Sequence, residues 1–163
     1  MRNYIKKIKK IRESKIFHIF VAESCTGGLI SSKLTSLSGS SDFFEGSVVT
    51  YSNYLKNRLL KVPNTLISKY GAVSHQTALS MVKGLKKISK SEILISVTGV
   101  AGPNGGNSKT PVGCVYFGLG IKIKNKYRFT TIKKNFREKS RQKIQEKSAE
   151  FILKEIIKNL SKI

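Results

Sequence analysis

The sequence predicts an α/β fold, a three-layer α/β/α sandwich with a mixed β-sheet, built as a single domain spanning residues 1–163. Short apolar runs of strand length alternate with segments whose apolar residues recur at helical spacing. Glycine-rich turns directly follow two of these runs, and a polar turn near the C-terminal third separates two more, as in a hairpin. One chain of 163 residues suits one core, and about two-thirds of its unfolded surface can be buried.

Tyr4, Ile5, Ile8 and Ile11 give Met1–Lys15 the spacing of a first helix that packs on the sheet. Ile16–Ala22 is almost wholly apolar and reads as a buried strand. Glu23-Ser24-Cys25-Thr26-Gly27-Gly28 then forms a tight turn into a helix over Leu29–Leu37. Ser38–Asp42 reads as a turn or helix start, and Phe43–Tyr51 contains a second strand. Ser52 and Asn53 are cap-type residues before a helix over Tyr54–Leu60, and Pro63 closes that region. Asn64–Lys69 and Ser74–Lys87 read as two more helices, the second capped by Ser74. Ile93–Val97 is a buried strand ending in Thr98-Gly99-Val100-Ala101-Gly102-Pro103. Val112–Gly120 and Tyr127–Thr131 pair as antiparallel strands turned at Lys124–Lys126. Ser140–Leu160 is a final amphipathic helix with Ile144, Phe151, Ile152, Ile156 and Leu160 inward.

Composition narrows the function. No apolar run approaches the ~20 residues that cross a bilayer, and no secretory signal is readable. Two cysteines, Cys25 and Cys114, make no disulfide framework, which places the protein in a reducing cytoplasm. Thirty-one Lys and Arg against nine Asp and Glu give a formal net charge of +22. Such a field attracts polyanions. Here it is mostly Lys, spread over both termini and the surface helices, with no basic-and-aromatic stacking motif. It reads as compositional drift rather than as a specific nucleic-acid surface.

The nine acids are Glu13, Glu23, Asp42, Glu45, Glu92, Glu138, Glu146, Glu150 and Glu155. Five lie in terminal segments where pairing with Lys is ordinary, so carboxylate pairs and acidic two-metal sites lack residues. His18 and His75 have no partner at metal-ligand spacing, and no metal or cofactor is called for. Cys25 is either a thiolate at a helix start or a small buried hydrophobe. What remains is Ser, Thr, Tyr, Lys and Gly in loops. A serine nucleophile without histidine needs a desolvated Lys as base, and Gly turns offer N–H groups to an oxyanion or a phosphate.

Glu23–Gly28, Gly39-Ser40-Ser41 with Phe44-Glu45, Thr50-Tyr51-Ser52-Asn53 with Lys56, Gly71-Ala72-Val73-Ser74, Ser96–Pro103 with Gly105-Gly106, and Pro111-Val112-Gly113 occur in this order. Together they resemble the CinA C-terminal domain, the PncC family of nicotinamide mononucleotide (NMN) deamidases, in its stand-alone form, over about residues 4–160. The resemblance implies hydrolysis of NMN to nicotinate mononucleotide and ammonia, a salvage step in NAD metabolism. It also implies a small-molecule substrate, a homodimer, no metal, and a Ser/Lys dyad that falls on Ser24 and Lys56 with Tyr51 nearby.

Ser41 is the rival nucleophile; simple geometry puts it at the far edge of the sheet unless the first helix is short or a dimer partner supplies it. Thr26, Gly27, Gly28, Thr98 and Gly99 are candidate substrate or oxyanion contacts, or else turns without a ligand. Glu23 either faces the cationic pyridinium ring or stabilises a helix start. The family often has Gly-Asp-Arg before the last helix where this chain has Asn135-Phe136-Arg137, which leaves Arg137 and Arg141 as phosphate-binding candidates. Cys114 stands where Thr is common. Two other readings are a non-catalytic competence-associated protein and a hydrolase of another pyridine or ADP-ribose nucleotide.

Overall fold

The structure is a computed structural model and describes residues 1–138 and 140–161, so the expected domain span includes three residues outside those described. Five strands form one mixed sheet in the order β2-β1-β3-β4-β5. They are β1 Ile19–Glu23, β2 Phe44–Val49, β3 Ile93–Gly99, β4 Cys114–Ile123 and β5 Lys126–Asn135. β1 runs parallel to β2 and β3, while β3–β4 and β4–β5 are antiparallel. The helices are α1 Arg2–Ser14, α2 Leu29–Leu34, α3 Asn53–Leu60, α4 Asn64–Tyr70, α5 His75–Leu85 and α6 Arg141–Leu160. A 3-10 turn at Ser40–Asp42 precedes β2.

Strand alternation sorts the layers. Ile19 and Val21 of β1, with Ile93, Ile95 and Val97 of β3, pack with Ile5 and Ile8 of α1, Ile30 of α2 and Ile152 and Ile156 of α6. Ala22 and Leu94 face the other way, toward Leu60, Met81, Val82 and Leu85. On that second face Ser96 and Thr98 are buried, and each satisfies its hydroxyl on a main-chain carbonyl, Ser96 on Ala78 (2.7 Å) and Thr98 on Ala72 (2.8 Å). The sandwich is therefore three-layered, as expected. Among the described residues no helix is long and apolar enough to cross a membrane.

Several boundaries differ from expectation. The first strand starts at Ile19, not Ile16, because pairing to β2 and β3 begins there and leaves Ile16 exposed. α2 stops at Leu34, three residues early. Both hairpin strands are longer than the apolar pattern, which fades on edge strand β5. Their link is the two-residue turn Lys124-Asn125, both at positive φ. Ser52 and Ser74 cap α3 and α5 by accepting the N–H of Leu55 and Thr77.

Candidate active site

The carboxyl ends of the three parallel strands converge on one cleft, the usual place for a ligand in an open α/β sheet. Ser24 follows β1, Thr50 and Tyr51 follow β2, and Thr98-Gly99 ends β3. Ser24, Tyr51, Asn53, Lys56, Gly99 and Arg141 are among the residues that line a cavity of about 270 Å³ there.

Lys56 sits on the first turn of α3, one turn after the β2 end, and is only 2 % exposed. Its Nζ lies 3.0 Å from Ser24 Oγ, 2.9 Å from the Thr50 carbonyl oxygen and 3.3 Å from that of Tyr51. No carboxylate pairs with it among the described residues. Burial lowers its pKa below the usual lysine value, with Cys25 acting weakly in the opposite sense. The surroundings suit a neutral amine. Two N–H bonds go to carbonyls, which can only accept, and the remaining lone pair meets a hydroxyl that can donate. A neutral Lys56 is then a base aimed at Ser24.

Arg141 opens α6 and reaches across the cleft. It donates to the Gly102 carbonyl (2.8 Å) and to the Tyr51 hydroxyl oxygen (2.6 Å). Because Tyr51 accepts that bond, its own O–H proton stays available to a third group. Tyr51 is 58 % exposed, so its ring forms the rim of the cleft rather than its floor. Gln145, one turn further along α6, donates to the Cys25 carbonyl (2.8 Å) and holds the turn after Ser24.

Other candidates fall elsewhere. Glu23 is fully buried and does not line the cavity; its carboxylate accepts main-chain N–H groups at the start of α2, so it does not face a substrate ring. Gly27 and Gly28 supply the positive φ that the turn requires and do not line the cavity either. Thr26 is buried outside it, with its hydroxyl unpartnered among the described residues. Arg137 is exposed and lies outside the lining. Ser41 is in the 3-10 turn before β2, at the amino edge of the sheet, opposite Ser24. Thr98 and Gly99 do line the cavity, although the Thr98 hydroxyl is already committed to Ala72.

Cys25 lines the cavity as a buried thiol whose pKa burial pushes up to about 12, so the thiolate reading does not hold. His18 and His75 do not line it; His75 meets Thr131 and the Tyr116 ring instead. No group of three His, Cys, Asp or Glu side chains that could hold a metal occurs among the described residues. Sequence reasoning missed Asn53, Asn104 and the Thr50 carbonyl. Asn53 reads from the sequence as a cap-type residue before a helix, Asn104 is one polar residue in a Gly-rich loop, and a main-chain acceptor leaves no trace in a residue pattern.

Residues 2–160 match the CinA C-terminal domain family. A CinA-like protein of Prochlorococcus marinus (strain MIT 9301) is 48% identical over 132 residues, covering 81% of this chain and 30% of that protein. A CinA-like protein of Petrotoga mobilis (strain DSM 10674 / SJ95) is 53% identical over 100 residues, 61% of this chain and 25% of its own length. The chain thus spans less than a third of these curated relatives. Among solved structures, the competence damage-inducible protein A (ComA) of Klebsiella pneumoniae subsp. pneumoniae MGH 78578 superposes with a TM-score of 0.90 at 25% identity, over 98% of this chain and 96% of that one. The competence/damage inducible protein CihA of Agrobacterium tumefaciens does so with 0.87 at 31% identity, over 98% and 96%. With the family match, the relatives and the fold in agreement, the chain belongs to the CinA C-terminal domain family.

Proposed function

We propose that the protein is an amidohydrolase that converts NMN and water to nicotinate mononucleotide and ammonia, with Ser24 as nucleophile and Lys56 as its base. The observation that carries this reading is the 3.0 Å contact between Ser24 Oγ and a buried Lys56 that has no counter-ion among the described residues. Ser24 Oγ attacks the carboxamide carbon while its proton passes to Lys56 Nζ. The tetrahedral intermediate collapses as Lys56 returns that proton to the departing nitrogen, which leaves as ammonia. A water molecule, deprotonated by the same amine, then attacks the acyl ester and frees the carboxylate and Ser24.

In this reading the Cys25 main-chain N–H, directly after the nucleophile, and the Tyr51 O–H serve as donors to the developing oxyanion. Arg141 supplies a fixed cation at the cleft for the substrate phosphate. The experiment is ammonia release from NMN by wild type, Ser24→Ala and Lys56→Ala. Turnover by wild type and near-complete loss in both variants is the expected result; a Ser24→Ala protein that still releases ammonia at a comparable rate overturns the reading.

A further inference from the structure

Glu23 is a fully buried acid beside the cleft that neither contacts the cavity nor pairs with a cation among the described residues. A buried carboxylate persists only when donors replace its water. Glu23 Oε2 accepts the N–H groups of Gly28 (2.9 Å) and Ile30 (3.2 Å), and Oε1 accepts the N–H (2.8 Å) and the hydroxyl (2.5 Å) of Ser31. Ser31 Oγ in turn lies 2.7 Å from Ser47 Oγ on β2. The main-chain carbonyl of Glu23 accepts the Thr50 N–H at 2.8 Å and the Thr50 hydroxyl at 3.4 Å. Thr50 is the residue whose own carbonyl accepts from Lys56.

We infer that Glu23 is the positioning residue of the dyad: its carboxylate locks the Ser24–Gly28 turn onto α2 while its carbonyl locks the β2 end that cradles Lys56. This rests on the Ser24/Lys56 reading above. Ser24 is joined to Glu23 by one peptide bond, and Lys56 through Thr50. The ionisable groups around the pair are Cys25, Tyr51, Arg141 and Glu23 itself. Burial and then Cys25 shift the Lys56 proton affinity, while Glu23 reaches both members of the dyad through hydrogen bonds to the main chain.

Glu23→Gln keeps the shape and turns an amide NH2 toward a ring of N–H donors, so at least one oxygen's contacts are lost and the turn shifts. A displacement near 1 Å in a reacting group costs about 100-fold in rate. The test measures covalent labelling of Ser24 by a fluorophosphonate across pH, alongside NMN kinetics, well below each variant's melting temperature. Labelling joins Ser24 Oγ to phosphorus, expels fluoride and hands the serine proton to Lys56, and it needs no nucleotide site.

Glu23→Gln should lower the labelling plateau and kcat by about 100-fold with KM little changed and the pH midpoint unmoved. Ser31→Ala, which removes one of the four side-chain contacts, should lower both by a smaller factor, and it decides the matter should Glu23→Gln not fold. A Glu23→Gln plateau within twofold of wild type overturns the inference. So does a moved midpoint with the plateau retained, which would make Glu23 an electrostatic partner, or a fully active Ser31→Ala paired with an unfolded Glu23→Gln. A wild type that takes no label overturns the dyad and this role together; one that is labelled yet inert toward NMN defeats only the substrate assignment.

Discussion

Replacing Lys56 separates activity from stability in a way its environment dictates. Lys56 is 2 % exposed, and among the described residues its amine is held by two carbonyls and the Ser24 hydroxyl. Removing a general base costs about 100- to 10,000-fold in rate, and Lys56→Met and Lys56→Arg should both fall in that range, since arginine cannot give up its proton. The wild-type rate should rise with pH through the lowered Lys56 pKa and level off before the ordinary lysine value of 10.5. Stability follows the same titration. Between the lowered folded value and 10.5 the unfolded chain binds more protons than the folded one, so wild-type stability climbs with pH across that window. Below the window the penalty for burying the amine is fully present. Lys56→Met lacks this slope, so the wild type should gain on the variant as pH rises toward 10.5. Ammonia release and urea unfolding at a series of pH values measure the two effects. Wild-type turnover in Lys56→Arg, or a wild-type rate that falls through the window, would refute a neutral Lys56 acting as base.

Turnover should be unchanged by a chelator, because the described acids, histidines and cysteines form no ligand cluster; loss in EDTA that zinc or magnesium restores would count against the mechanism. Cys25, with its thiol pKa near 12, should react with iodoacetamide at pH 8 far more slowly than a free cysteine, as read by mass spectrometry. Gly84 of α5 touches α3 so closely that an added Cβ would lie 2.1 Å from the Leu60 carbonyl oxygen. Gly84→Ala should therefore cost about 1–3 kcal/mol in chemical unfolding, and because α3 carries Lys56 it should also lower kcat.

What the sequence made legible was local. The apolar run before Glu23, the serine caps at Ser52 and Ser74 and the polar turn at Lys124-Asn125 each carry their own signal within a few residues. What it hid depends on direction or distant contact. An acid beside a nucleophile reads the same whether its carboxylate faces a substrate or a helix start, and only the fold shows that Glu23 chose the helix. Arg137 and Arg141 are equivalent in sequence, but only the second begins α6 and reaches Tyr51. Gly84 is an isolated helical glycine until α3 is packed on it.

Ser41 lies between these cases, because its position follows from strand direction alone. β1 and β2 are parallel, so a residue before β2 and a residue after β1 occupy opposite edges. β2 has six residues, which puts roughly 20 Å along the strand between the Ser41 turn and the Tyr51 end of the cleft. No side-chain rotation closes such a gap. Ser41 is also exposed, and among the described residues no base is set against its hydroxyl as Lys56 is set against Ser24. Ser41→Ala should thus keep kcat and KM for NMN within about twofold of wild type, since a surface substitution away from such features shifts free energies by about 0.5 kcal/mol or less. Ser24→Ala, measured beside it, should be nearly dead. The opposite pattern, an inactive Ser41→Ala with an active Ser24→Ala, would move the nucleophile to the other edge of the sheet. It would require a second subunit to carry Ser41 to the cleft, and mixing inactive Ser41→Ala with inactive Lys56→Ala protein would then restore turnover; equal inactivity of that mixture would exclude the shared site.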